Sequence, residues 1–196
     1  WLADGTGIYW GGIYALFADS PLASAIWTTL PASKVLTTSE LNLCFLRPLT
    51  EQTSNIIGHA TTVHSGSQVG LSTVQISDQE GRTLAFGSSR CLIVDFPVDP
   101  ETEFPAPELG PSETEDPYLR PAPNSNFCNL NQLADRTPID LQRATIEEGR
   151  THPVWLYTGY RATAIDDGMC EATLPSSAWF SNGSFSINGG LLAWAA

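Results

Sequence analysis

Residues 11–30 read GGIYALFADSPLASAIWTTL, and this stretch decides the fold. Its apolar residues recur at helical spacing on nearly every side, which is typical of a helix buried in a core. Pro21 cannot donate a backbone hydrogen bond, so it kinks the helix or begins a second segment that Ser20 could cap. Pro31 ends the element. Asp19 is the one charged residue of the stretch, and a lone carboxylate in such a helix needs partners or a function.

Strand-like segments follow the helix. Apolar and polar residues alternate in 36–47, and residues 54–64, 69–77 and 82–94 are also rich in strand-forming residues. Residues 78–81, Asp-Gln-Glu-Gly, have the composition of a turn. One apolar helix followed by a meander of long strands predicts an α+β fold in which an antiparallel sheet wraps the helix.

The two ends of the chain are related by a repeat. WLADGTGIYWGGIYALFA at residues 1–18 aligns with WFSNGSFSINGGLLAWAA at residues 179–196, with an offset of 178. The shared register predicts that both Gly-Gly pairs open equivalent helices in two similar domains. The equivalent of Asp19 would follow the last residue, so we expect either a window on a longer protein or a chain whose ends meet in space. The aligned identities include Trp1 with Trp179, Gly5 with Gly183, and Gly11-Gly12 with Gly189-Gly190.

The segment between the repeats changes character. Residues 95–123 hold eight of the fourteen prolines and eight acidic residues, which predicts an extended linker. Residues 131–149 are a candidate helix, and residues 154–174 read as two strands around a turn at Asp166-Asp167-Gly168. The predicted domains are a first unit at 1–94 that lacks its leading strands, a linker at 95–150, and the leading part of a second unit at 151–196.

Composition narrows the class of function. Asp and Glu outnumber Lys and Arg by 21 to 9, and a net charge of -12 argues against nucleic acid and anionic membranes as partners. No apolar run reaches the roughly 18 residues of a membrane span, and no signal peptide is visible. The cysteines form no C-x-x-C pair, so we expect no metal site but buried, reduced thiols in a cytoplasmic protein. They are Cys44, Cys91, Cys128 and Cys170.

A Gly-Gly pair at a helix start can bind the oxygen of a carbonyl group while a nucleophile attacks its carbon. It leaves backbone N–H groups at the positive end of the helix dipole, with no side chain to block the approach of a substrate oxygen. Asp19, two turns further along, could activate water or attack directly. The plainer interpretation is that Asp19 faces solvent or caps a segment that begins at Pro21.

Three motifs in order resemble one enzyme family. WGGIYALFADSPLASA, TTSELNLCFLRP and DQEGRTLAFG are similar to the phenylacetate-pathway (PaaI-like) type of acyl-CoA thioesterase, whose members have the hotdog fold. The resemblance covers residues 1–94, and residues 152–196 as the front of a second copy. It implies a double hotdog, each unit an antiparallel sheet around a central apolar helix. It also implies an acyl-CoA substrate, no cofactor, and sites between paired hotdogs in a homo-oligomer.

The resemblance assigns roles residue by residue. Gly12 would supply the oxyanion-binding N–H, and Asp19 would be the general base or nucleophile. Thr38 would orient water or the thioester, although an ordinary strand threonine is the plainer interpretation. Gly11 and Trp10 would border the substrate.

Two departures from the family pattern concern substrate binding. The family His before Gly-Gly is Trp10 here and Asn188 in the second copy. Ser65-Gly66-Ser67-Gln68 stands where relatives place a basic residue, so Gly66 and Ser67 would meet the CoA end without a cation. A non-catalytic acyl-binding or scaffolding hotdog is therefore the alternative. A hotdog hydratase ranks lower, because it needs a His near the Gly-Gly helix and we expect none there.

Overall fold

The computed structural model describes residues 2, 8–95, 135–149, 152–176, 180 and 188–195. Helix α1 (Gly12–Trp27) precedes four strands, β1 (Lys34–Phe45), β2 (Ile56–Ser65), β3 (Val69–Asp78) and β4 (Thr83–Asp95). Further along the chain lie α2 (Pro138–Glu147), α3 (Pro153–Thr158), β5 (Arg161–Asp166), β6 (Met169–Thr173) and α4 (Gly189–Ala195). Among the described residues, no helix is both long and apolar enough to cross a bilayer.

The first four strands form one antiparallel sheet in the order β1-β4-β3-β2, and α1 packs across one face of it. All four strands were predicted from the sequence, with ends that differ by a few residues. The α+β class, an antiparallel sheet against an apolar helix, is confirmed. Along β4, side chains that face the helix alternate with exposed ones, as expected of a sheet with one covered face. The core includes Ile13, Tyr14, Ala18 and Leu22 of α1 with Val74, Ile76, Leu84 and Ala85 of the sheet.

Helix α1 runs through Pro21 without a break, so the predicted second segment capped by Ser20 is wrong. Ser72 Oγ donates to the Leu22 carbonyl over 2.8 Å and ties the helix to β3 next to the proline. The helix also buries one face only. Leu16 and Trp27 are exposed, so the expectation of burial on nearly every side is too broad.

Residues 154–158 form a helix, where the sequence predicted a strand. Pro153 occupies the first turn, where its missing N–H is tolerated, and Gly159 ends the helix with a left-handed φ of 74°. The remainder of the prediction is confirmed, since β5 and β6 form a hairpin around Asp166-Asp167-Gly168. The candidate helix within 131–149 is observed as α2.

Strands β5 and β6 form a separate two-stranded sheet. They therefore add no strands to the first sheet. Both Gly-Gly pairs lie at helix starts, as the repeat predicted, and α1 packs against α4. The second hotdog stays a prediction. The other matched repeat positions, Trp1, Gly5, Trp179 and Gly183, lie outside the described residues, as do 96–123 of the linker.

The cysteines differ in burial. Cys91 is fully buried, as predicted, whereas Cys44 and Cys170 are exposed, so the prediction of burial is wrong for these two. Cys44 pairs with Phe86 in the sheet register, on the face turned away from the helix, where the strand alternation exposes both side chains. Cys128 lies outside the described residues.

Candidate active site

Asp19 lies on the buried face of α1 and is only 5% exposed. Its Oδ1 accepts a hydrogen bond from Thr38 Oγ1 over 2.8 Å. The interpretation in which Asp19 faces solvent is therefore wrong, and so is the cap of a second segment, because the helix is continuous there. A buried carboxylate with a hydroxyl partner is compatible with a structural role and with the role of a catalytic base.

Thr38 reaches Asp19 because β1 crosses beneath the helix. It is the last residue before a register shift in the pairing of β1 with β4, and its cross-strand partner is Cys91. Such a bulge re-aims the strand locally and is common beside functional sites. The structure thus brings together two of the three residues predicted to be catalytic, from positions 19 residues apart.

The second Gly-Gly pair contacts the same aspartate. A Cβ on Gly190 would lie 2.8 Å from Asp19 Cβ and 2.8 Å from the Ala15 carbonyl oxygen. A Cβ on Gly189 would lie 3.0 Å from Thr38 Cβ and 3.4 Å from Asp19 Oδ1. Only glycine permits this approach of α4 to α1. The sequence repeat identified these glycines, but it gave no sign that they meet Asp19.

Gly12 begins α1, and Gly11 caps the helix without a side-chain hydrogen bond. A Cβ on Gly12 would lie 2.5 Å from Trp194 Cδ1 and 2.9 Å from Trp194 Cα, so α4 packs tightly here as well. Asp19 lies seven positions after Gly12, a rise of about 10 Å along the helix. The two therefore do not flank one another, and the role of Gly12 as oxyanion donor stays a prediction.

Trp10, next to the Gly-Gly pair, lies in an aromatic cluster with residues from the far side of the linker. Its ring centroid is 5.4 Å from that of His152 and 5.9 Å from that of Trp155. The statement that no histidine lies near the Gly-Gly helix is therefore wrong. Sequence reasoning missed His152 because 139 intervening residues separate it from the helix start at Gly12.

Gly66 and Ser67 lie in the turn between β2 and β3, where the Gly66 N–H donates to the Val69 carbonyl over 2.9 Å. The turn is near the other end of α1, since Thr29 Oγ1 donates to Ser65 Oγ over 2.7 Å. These two predicted substrate contacts are thus separated from Gly11 by roughly the length of the helix, about 24 Å at 1.5 Å per residue. Their role stays a prediction.

A cavity of about 360 Å³ opens beside Gly11. Tyr14 and Phe45 stand over it with ring centroids 5.6 Å apart, and Tyr14 Oη donates to the Arg47 carbonyl over 3.0 Å. Burial, with a smaller contribution from the negative charge of Asp78, raises the pKa of the Tyr14 phenol. Tyr14 therefore remains a neutral donor at physiological pH. Neither aromatic residue was singled out by the sequence, because both fit an ordinary core pattern.

Arg47 supports the corner between β1 and the following loop. Its Nη1 donates to the Thr83 carbonyl, which gives this residue a structural role. Within the described ranges, no group of three or more His, Cys, Asp or Glu side chains could hold a metal ion.

Comparison with known proteins finds a family match to the first part of the chain. Residues 6–85 match the family described as Thioesterase superfamily. The match includes Gly11, Gly12, Asp19 and Thr38. No curated protein matches the chain.

Solved structures of similar proteins cover about half of the chain. The BH2602 protein of Bacillus halodurans, solved with CoA, is 24% identical over 47% of this chain and 64% of its own, with a TM-score of 0.44. Thioesterase HI1161 of Haemophilus influenzae is 17% identical over 50% and 67%, with a TM-score of 0.46. The PaaI protein of E. coli is 22% identical over 48% and 66%, with a TM-score of 0.43. The chain thus spans less than two thirds of BH2602.

Proposed function

We propose that this protein hydrolyses acyl-CoA thioesters, with Asp19 as general base or nucleophile. The observation that carries the proposal is the buried Asp19 carboxylate, held by Thr38 and approached by Gly189. A thioesterase needs such an acidic group positioned beside the carbonyl carbon. The match of residues 6–85 to the Thioesterase superfamily supports the same class of reaction.

The chemistry needs one water molecule and one proton acceptor. An ionised carboxylate accepts up to about four hydrogen bonds, so the bond from Thr38 leaves Asp19 with lone pairs that can accept from a water molecule. In the general-base route, Asp19 takes a proton as the water oxygen bonds to the carbonyl carbon. The carbon–sulfur bond then breaks, and the proton passes to the departing CoA thiolate. In the nucleophilic route, an Asp19 oxygen bonds to the carbonyl carbon, the carbon–sulfur bond breaks and CoA leaves as the thiolate. Water then cleaves the mixed anhydride to the free acid and the Asp19 carboxylate, and the proton released from water passes to the thiolate.

We further propose that Gly12 and Asp19 belong to two different active sites of a double hotdog. The repeat makes Gly190 the equivalent of Gly12, and Gly190 packs on Asp19 while Gly12 packs on Trp194. A double hotdog with helices α1 and α4 side by side accounts for this crossed pattern. The carbonyl attacked at Asp19 would then be bordered by the second Gly-Gly pair, and Gly12 N–H would bind the oxyanion of a second substrate.

The substrate contacts in this proposal lie near the two ends of α1. Gly11 and Trp10 would border the acyl group, since Gly11 lines the aromatic cavity. Gly66 and Ser67 would meet the CoA end at the β2–β3 turn. A cytoplasmic location goes with reduced cysteines and with CoA as carrier.

An assay of hydrolysis over a panel of acyl-CoAs, monitored through the release of free thiol, tests this function. We expect Asp19→Asn to lower kcat/KM at least about a hundredfold, as loss of a general base or nucleophile does. Asp167→Asn is the matched control, because Asp167 is an exposed carboxylate on the β5–β6 turn. Turnover by Asp19→Asn that equals turnover by the control would reject Asp19 as the acidic group.

The alternative, an acyl-binding protein without turnover, is favoured by one observation. Asp19 is closed off from solvent and α4 packs directly on it, while the described cavity lies beside Gly11. Calorimetric binding of an acyl-CoA, with no thiol released over hours, would select this function. Binding with release of CoA would select the thioesterase.

A further inference from the structure

The indole N–H of Trp194 is a buried donor without an acceptor. Trp194 is 4% exposed, and among the described residues its Nε1 is the one buried side-chain nitrogen or oxygen that lacks a hydrogen-bond partner. Burial of an unpaired donor is unfavourable, and nearly all buried polar groups in native proteins are paired. An acceptor that arrives with a ligand would account for this donor.

The indole lies against the start of α1. Its Cδ1 atom, which is bonded to Nε1, lies 2.5 Å from the position that a Cβ on Gly12 would take. The edge of the Trp194 ring that carries the N–H therefore faces the first residue of the helix. The contact also requires glycine at position 12, because a side chain there would displace the indole.

Backbone donors at the same helix start are also without acceptors. Ile13 N–H donates to the Trp10 carbonyl over 3.0 Å, and Tyr14 N–H is paired in the same turn. Within the part of the chain that the structure describes, the N–H groups of Gly11 and Gly12 have no acceptor, and the first turn holds no acidic residue. Together with the indole, three donors thus lie at the positive end of the helix dipole.

The chemistry of these donors indicates the class of ligand. None of them is a cation, so a phosphate group would be buried there without a counter-charge, which is costly. A carbonyl oxygen is neutral until its carbon is attacked, and fixed neutral donors then stabilise the charge that it gains. Gly11 also lines the cavity of about 360 Å³, so an acyl group in that cavity can place its carbonyl beside the helix start.

We propose that Trp194 Nε1 donates, together with Gly12 N–H, to the carbonyl oxygen of an acyl thioester bound at the start of α1. The proposal rests on the acyl-CoA substrate proposed above. The repeat aligns Trp194 with Leu16, which has no polar side-chain atom. The site at Gly12 therefore has a side-chain donor that the equivalent position of the first copy lacks.

Two acyl-CoA analogues separate donation from packing. The first is a ketone in which CH₂ replaces the thioester sulfur, and the second is a thioether without the carbonyl oxygen. The backbone amide signal of Gly12 in nuclear magnetic resonance spectra reports how much of either analogue is bound at this site. We expect Trp194→Phe, which keeps an aromatic ring but removes the N–H, to raise Kd for the ketone about three- to tenfold, the effect of one hydrogen bond. Its Kd for the thioether should stay the same, and an equal change for both analogues would overturn the proposal.

The indole signals give a second measurement that does not depend on the stability of the variant. Each of the six tryptophans contributes one indole N–H signal, and the signal missing from Trp194→Phe belongs to Trp194. If that variant does not fold, sequential assignment of the wild-type spectrum identifies the signal. We expect it to move downfield with the ketone and to stay in place with the thioether, because only the ketone supplies an acceptor. Trp27, 57% exposed at the other end of α1, is the internal control and should not move.

The outcomes distinguish this proposal from the proposed function. A Trp194 signal that the bound ketone leaves in place would overturn the contact, even if the protein hydrolyses acyl-CoA. A Trp194 signal that moves with the ketone, in a protein that releases no thiol from any acyl-CoA, would reject hydrolysis and keep the contact. If neither analogue shifts the Gly12 amide, no acyl group binds at this helix start and the proposal is wrong.

Discussion

The two buried aspartates of the first sheet and helix show how a residue's partners indicate its role. Asp78 accepts hydrogen bonds from the backbone N–H groups of Glu80 and Arg82 and from Arg82 Nε, all within its own turn. Its lone pairs are committed to local structure. Asp19 instead accepts from Thr38 on a different element, and a second segment of backbone approaches it. The carboxylate with non-local partners is the better candidate for chemistry.

Asp78 makes stability depend on pH. Burial acts to raise the pKa of Asp78, but hydrogen bonds from Arg82 and Glu80 and the charge of Arg82 outweigh it, so the pKa lies below its ordinary value of 3.8. A carboxyl with a depressed folded-state pKa stabilises the fold above the unfolded value, and this contribution disappears as pH falls through the folded pKa.

We therefore expect Asp78→Asn to lower the thermal unfolding midpoint at pH 7. The difference from wild type should narrow as the pH is taken below about 4, where wild type also loses its carboxylate. Unfolding followed by circular dichroism at several pH values measures both effects. A difference that stays constant down to pH 2.5 would contradict the assigned cause.

At the scale of elements, the contact between α1 and α4 is the feature that joins the two repeats. Gly12 and Gly190 each sit where a side chain would meet the other helix, so the pair packs at closer range than larger residues allow. Small residues at such a crossing favour close backbone approach. Because Gly190 of α4 packs on Asp19, this contact between the two helices determines whether Asp19 stays buried.

Two neighbouring glycines give a matched test of this contact. A Cβ on Gly12 would overlap the Trp194 backbone, whereas a Cβ on Gly11 would lie 3.5 Å from the Phe45 ring, an ordinary contact. We expect Gly12→Ala to destabilise the fold by about 1–3 kcal/mol through overpacking, although alanine is the better helix former. Gly11→Ala should be close to neutral. Chemical denaturation measures both, and equal stabilities would mean that α4 does not pack there in solution.

At the scale of the whole molecule, the first sheet has two open edges among the described strands, β1 and β2, and the edge at β2 carries an exposed apolar side chain. Strand β2 lies at that edge among the described strands, and Val63 on it is 59% exposed. An uncovered edge with apolar side chains favours pairing with another strand. The predicted homo-oligomer would use this edge.

We expect light scattering on the eluting protein to give at least twice the chain mass of 21.1 kDa. Val63→Lys should shift the mass toward the monomer, because a charge on the edge disfavours strand pairing. Val94→Lys is the control, since Val94 is also exposed but lies on an interior strand. A wild-type particle of 21.1 kDa would reject assembly through this edge.

Local pattern by itself determined the elements of this protein. The apolar run after Gly-Gly predicted α1, alternation predicted four strands, and Asp19 stood out because a lone charge in an apolar helix is costly to bury. These features depend on residues a few positions apart, which is the range over which periodicity and turn chemistry act. The strand predicted at 154–158 is wrong, because Pro153 and Gly159 bound a short helix there.

Only the tertiary structure decided which residues meet. The approach of Gly190 to Asp19, of His152 to Trp10, and of Cys91 to Thr38 arises from chain segments brought together by packing. A repeat signals that two segments are alike, but not that they touch. The physical reason is that helix crossing and strand order depend on how the whole apolar surface is buried, and no local window of sequence contains that information.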